Sequence, residues 1–267
     1  MKLGYLSIPP VYPDGRGPDG LDGPRAGRRD HLAEALGFSE FYAASTDPCA
    51  LPHRGGPEQQ DSLRIVPDRP VRRLPELVSV DGASWREDAS ATGLMAAPVE
   101  HVEDVRAQSF RGCAPLSVSW LDADMLARHW AAHVTGCTHA ARCARRQDWR
   151  VARTVVVDDD PARAEATAKA PDSPCRAYYR GILAPGADDA TVDALIDDCV
   201  LYGTQTMVGA RLREMTETAG AFGTLTFVDH AWTNAALARR SLILFSDAVS
   251  QIHQTHTQRK LRKLELA

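Results

Sequence analysis

The sequence predicts a parallel α/β protein, a (β/α) barrel, from three observations. Strand-like and helix-like patterns alternate along most of the chain. The clearest strand, Trp149 to Val157, is rich in β-branched residues, as a strand covered on both faces should be. The stretch Gly203 to Val249 reads as one complete α–β–α unit. In it Thr204 can cap a helix whose stripe is Val208, Leu212, Met215 and Ala219, and Gly220 sits where the helix should end left-handed. Gly223 to Val228 follows as a short buried strand, then a helix lined by Leu237, Ser241, Leu244, Phe245 and Ala248. A doubly wound sheet is the other architecture compatible with this alternation.

Taken in order, Lys2 to Ile8 reads as a first strand closed by Pro9 and Pro10. Residues 11–30 are rich in proline and glycine and read as a loop. A short helix, His31 to Leu36, is stopped by Gly37, and Phe38 to Ala44 is a second strand. Between Ser45 and Pro75 proline, glycine and charge dominate, with Arg64 to Val66 the one strand-like fragment. Leu77 to Val80 and Thr92 to Ala96 read as strands, Val102 to Gln108 as a short helix, and Leu116 to Trp120 as a better strand. A long helix is expected from about Asp122 to Arg145. After the Trp149 strand, the carboxylates of Asp158 to Asp160 before Pro161 start a helix. Residues 171–187 read as loop with a short Tyr178-Tyr179 segment, and Asp188 or Asp189 caps a helix ended by Gly203. One barrel domain over residues 1–250 is expected, with residues 45–115 divergent and shortened and residues 251–267 a basic tail.

The composition is that of an ordinary globular protein, 44% hydrophobic and 25% charged over 267 residues. A formal net charge of -4 gives no reason to expect nucleic acid or an anionic membrane as partner. No apolar run is long enough to cross a membrane, and the first ten residues lack a signal peptide's pattern. Six cysteines without close pairs read as reduced thiols, so a cytoplasmic location is the expectation.

Several further segments occur in an order that resembles the bacterial luciferase-like, flavin-dependent monooxygenases. They are Ala127 to Trp130, Asp148 to Arg153, Asp172 to Tyr179, Gly203-Thr204, Gly220 to Leu225, and His230 to Trp232 with Ala238 to Ser241. In the first half, Ala33 to Tyr42 and Thr92 to Pro98 followed by His101 to Val105 resemble the same family. The resemblance implies a TIM-type barrel that binds reduced FMN, or a deazaflavin, at the C-terminal ends of its strands. It further implies oxidation of a small organic substrate with dioxygen, a separate flavin reductase as the source of reduced cofactor, and a homodimer or heterodimer.

Two departures bear on that expectation. The Glu-His pair that usually follows the second strand is missing where Phe41 to Asp47 runs past. The fourth and fifth βα units, which supply the flavin-phosphate site, are deleted between Gly112 and Pro115. A non-catalytic flavin-holding homologue, or a partner subunit without turnover, is therefore the alternative. The candidate catalytic residues are His101 and His230, each just after a strand, a surface-loop histidine being the plain alternative for both. Candidate cofactor contacts are Tyr5, Ser45, Thr46, Trp120 and Arg153. Ser45 and Thr46 also fit a plain turn before Asp47-Pro48. Arg150 and Arg153 are read as reaching the barrel mouth or pairing with Asp158 to Asp160. His129, His133 and Cys137 recur every four residues on one helix face; packing is the reading chosen, and no metal site is expected.

Overall fold

Parallel strands with helices on both sides form the structure, a computed structural model. It describes residues 1–7, 26–45, 64–66, 96–183, 186–230, 232 and 234–265, with side chains for 1–6, 29, 31–40, 100–183, 186–230, 232 and 234–251. The strands are β1 (Lys2–Ser7), β2 (Glu40–Ser45), β3 (Arg64–Val66), β4 (Ala96–Val99), β5 (Ala114–Ser117), β6 (Arg150–Val157), β7 (Leu201–Gly203) and β8 (Thr224–Asp229). The helices are α1 (Ala26–Ala35), α2 (Val102–Arg111), α3 (Ala123–His139), α4 (Pro161–Lys169), α5 (Pro174–Ile182), α6 (Asp189–Cys199), α7 (Gln205–Ala219) and α8 (Ala235–Glu265). Strand order is β3-β2-β1-β8-β6-β5-β4, and β7 pairs with the C-terminal end of β6. All pairings are parallel except β2 with β3. Among the described residues no pairing joins β3 to β4.

Helix starts follow from short polar side chains that take up free N–H groups of the first turn. Asp122 accepts from Met125 N at 2.6 Å, Asp160 from Ala162 N at 3.0 Å, and Asp188 from Thr191 N at 2.8 Å. Ser173 and Thr204 do the same for α5 and α7. Gly220 ends α7 at φ 84°, ψ 172°, a positive φ as expected but outside the left-handed helical basin.

Several expectations are corrected here. Helix α1 starts at Ala26, inside the stretch read as loop, and α3 stops at His139 instead of Arg145. Residues 174–182, read as mostly loop, form α5; Ser173 before Pro174 is a helix-start signal that the surrounding loop composition masked. Gly203 closes the three-residue strand β7 instead of ending α6. Strand β4 lies at Ala96–Val99, shifted from the Thr92–Ala96 reading. The basic tail, as its sequence suggests, is the end of a helix, α8. The Leu77–Val80 strand reading lies outside the described residues.

Parallel register sorts the strand residues into two faces, because side chains alternate along a strand. Leu3, Tyr5, Val151, Val155, Leu225 and Phe227 face outward and pack with Leu126 of α3, Val208 and Leu212 of α7, and Leu242 and Phe245 of α8. Tyr5 stacks on Phe227, and Phe38 and Phe245 close around that pair. The inner face carries Leu6, Leu116, Ala152, Val156 and Val228, covered by Cys175, Tyr178 and Tyr179 of α5 with α4 and α6. This face is also polar. Arg150 Nε donates to Glu40 Oε2 at 2.8 Å across the sheet, and Thr224 Oγ1 donates to Glu40 Oε1 at 3.2 Å. Gly4 makes room for the threonines of β8 on this face, since a Cβ there would stand 3.0 Å from Thr226 Oγ1 and 3.2 Å from Thr224 Cγ2.

Candidate functional site at the strand C-termini

The inner face ends in a buried polar and aromatic cluster where β5, β6 and β8 finish. Thr154 on β6 is in register with Val228, so its side chain points to the same interior as the residue after the end of β8, His230. Thr154 Oγ1 lies 2.9 Å from His230 Nε2. Tyr179 Oη donates to Thr154 Oγ1 at 3.1 Å and lies 3.3 Å from the Ser119 carbonyl. Ser119 Oγ is 3.0 Å from Tyr178 Oη. The Tyr178 ring sits 5.0 Å from the His230 ring and 6.1 Å from the Trp120 ring, and Trp232 meets His230 edge-on at 5.6 Å.

Burial sets the protonation of this cluster. It pushes His230 down to about 3, with the nearby Arg29 charge adding to the effect, so the imidazole is neutral. Burial also raises the phenols of Tyr178 and Tyr179. Asp229, one residue before His230, points to the other face and is pushed up to about 6 by burial. Arg29, Tyr5 and Trp232 partly offset that rise. Tyr5 donates its phenol proton to Asp229, and Arg29 Nε pairs with the same carboxylate at 3.0 Å. A near-neutral acid and a neutral imidazole thus sit side by side at the end of one strand.

The residues singled out from sequence fall into different places. His230 lies at the centre of the cluster, and Trp120 reaches it through Tyr178. Tyr5 faces the helix layer and meets the site through Asp229. Arg153 is fully buried on the face opposite Arg150, its guanidinium donating to the carbonyls of Ala152 and Leu121. Neither arginine reaches Asp158 to Asp160. Arg150 pairs with Glu40, while Asp158 pairs with Arg163. His101 is exposed at the start of α2, Ser45 ends β2 with its side chain outside the described residues, and Thr46 lies outside them. His129 and His133 bind Ser117 at 3.0 Å and Ser109 at 2.7 Å, packing α3 on β5 and α2. Among the described residues, Thr154, Tyr178, Tyr179, Asp229 and Arg29 belong to this region without having been singled out. Only Asp229 had a local signal, as the acid that ends the last strand.

Three buried donors in the described residues lack an acceptor: the Trp120 indole, Arg29 Nη1, and the Thr226 hydroxyl, while Arg29 Nε faces the Asp229 carboxylate. Trp120 and Arg29 both adjoin the cluster. A flavin presents carbonyl oxygens and an anionic tail that accept hydrogen bonds, beside the N–H donors of its ring, so a donor-rich, aromatic site of this kind fits its acceptor groups.

No family model and no curated protein matches the sequence. Solved structures do match its fold. Flavoprotein 390 aligns over 96% of this chain and 98% of its own, at TM-score 0.56 and 8% identity. The fold is the luciferase-like barrel. The oxygenating constituent of 3,6-diketocamphane monooxygenase from Pseudomonas putida, a type II Baeyer–Villiger monooxygenase in complex with FMN, aligns at TM-score 0.50 and 21% identity. That alignment covers 61% of this chain and 50% of the other, so this chain spans about half the length of that enzyme. No helix among the described residues is long and apolar enough to cross a membrane.

Proposed function

We propose that this chain is a flavin-binding oxidoreductase, a luciferase-like monooxygenase that acts on a small organic substrate with reduced flavin and dioxygen. The observation that carries this reading is the neutral, buried His230 beside unpartnered donors at the C-terminal strand ends. Trp120 and Arg29 would hold the acceptor groups of FMN or a deazaflavin, and the cofactor would supply the redox chemistry. Tyr178 and Trp232 would present ring faces to it or to the substrate, and exclude water. His230, held at Nε2 by Thr154, can offer its other nitrogen as a neutral donor without taking up a proton. A separate reductase would supply reduced flavin, and a dimer would cover the open sheet edges. His101, Ser45 and Thr46 stay candidates on this reading.

A second reading, a flavin-holding homologue or partner subunit without turnover, is favoured by one observation: α5 packs Tyr178 and Tyr179 into the inner face, where a substrate would otherwise lie. Titration with FMN, followed by flavin fluorescence, separates the two. Binding that weakens about tenfold in Trp120→Phe, with reductase-driven oxygen uptake, supports the enzyme. Binding without uptake supports the holding role, and no binding at all sinks both.

A further inference from the structure

At the far end of α3, remote from His230, three thiols share one small cavity. Cys113, Cys137 and Cys143 line a space of about 40 Å³ together with Ser109, His133, Arg142 and Asp148. Such a volume holds little more than a water molecule and is only a few ångströms across. Cys143 is exposed, whereas Cys113 and Cys137 are buried. The chain reverses immediately after α3: Ala141 takes a left-handed φ of 52°, and Arg142 N donates back to the Cys137 carbonyl at 2.8 Å. The residue after Arg142 is Cys143, so the turn carries that sulfur back toward the last turn of α3. The Cys137 Sγ in turn stands 3.8 Å from both nitrogens of His133, whose Nδ1 meets Ser109 at 2.7 Å.

We propose that Cys137 and Cys143 form a reversible disulfide when a peroxide reaches this cavity. The exposed Cys143 sulfur attacks the peroxide O–O bond, becomes a sulfenic acid and releases the corresponding alcohol or water. Cys137 then attacks the Cys143 sulfur, the S–S bond forms, and the sulfenic oxygen leaves as water with the Cys137 proton. His133 is the base placed to take that proton from Cys137 first. Burial pushes the Cys137 thiol up, with the Arg142 charge offsetting part of it, which makes Cys137 the resolving sulfur and not the first attacker. Cys113 shares the cavity but enters from the start of β5, with its backbone held to Gln108, and nothing turns it toward Cys143. The bond would pin the turn that ends α3 beside the Ser109–His133 link to α2.

Peroxide treatment of the full chain, alkylation of remaining thiols and non-reducing tryptic mass mapping test this. Cleavage after Arg128, Arg142 and Arg145 puts the two sulfurs on separate peptides, residues 129–142 and 143–145. The expected result is a cross-linked pair of those peptides as the major oxidised form, released by dithiothreitol, absent in Cys143→Ser and retained in Cys113→Ala. Cys143 passing to sulfinic acid while Cys137 stays alkylatable overturns the proposal, as does a cross-link from Cys143 to Cys113. The outcome is independent of flavin binding.

Discussion

The two faces of the central strands solve different problems with the same backbone. Outside, β1, β6 and β8 present Tyr5, Val151, Leu225 and Phe227 to a helix layer that is almost wholly apolar. Inside, the same strands present Arg150, Thr154 and Thr224, whose polar groups find partners across several strands. Apolar contacts are interchangeable and additive, whereas buried polar groups need particular partners. Stability is therefore spread over the outer face and concentrated in a few links on the inner one.

That contrast can be broken most sharply at the Glu40–Arg150 pair. Glu40→Ala leaves the buried Arg150 charge without its carboxylate and should cost about 3–5 kcal/mol in urea unfolding. Phe245→Ala on the outer side should cost about as much, through lost packing. Rescue tells them apart: Arg150→Met should recover most of the loss in Glu40→Leu, while no single partner change should rescue Phe245→Ala. Equal rescue on both sides would remove the distinction. Smaller in effect, Thr154→Val takes from His230 and Tyr179 their shared partner, and roughly 1–3 kcal/mol should be lost with little change in shape.

The smallest effect is one of pH. Between about pH 6 and 4 the folded state holds a proton on Asp229 that the unfolded chain lacks, and folding gains stability as pH falls. Over the same window the unfolded chain holds a proton on His230 that the folded state refuses, and folding loses stability as pH falls. The two nearly cancel in the wild type. His230→Asn removes one side, so its stability relative to wild type should rise on acidification from pH 6 to 4, by at most ~1.4 kcal/mol per pH unit. A difference that stays flat in parallel urea titrations would refute the opposed shifts.

How much of this was legible in the sequence follows the same division. Strands β1, β6 and β8 and helices α6 and α7 announce themselves, because buried strands and capped apolar stripes are local patterns. Helix α5 does not: Arg176 and Arg180 interrupt its pattern, and its anchors, Asp189 and Asp193, lie on the next helix. His230 could be singled out by its position after a strand. Its partner Thr154 and that residue's own partner Tyr179 are 76 and 51 residues away from it, and only the folded sheet brings the three together. Arg153 was misplaced for a simpler reason. Residues three apart on a strand face opposite ways, so Arg150 and Arg153 cannot both point into the barrel.

The missing side chain at Gly4 has a consequence for how this interior can change over generations. A side chain at position 4 would press on Thr226 and Thr224, the two threonines of β8 that share the inner face with it. Enlarging position 4 therefore calls for a smaller residue at 224 or 226 first. Descendants of this chain should keep glycine at position 4 for as long as both threonines remain.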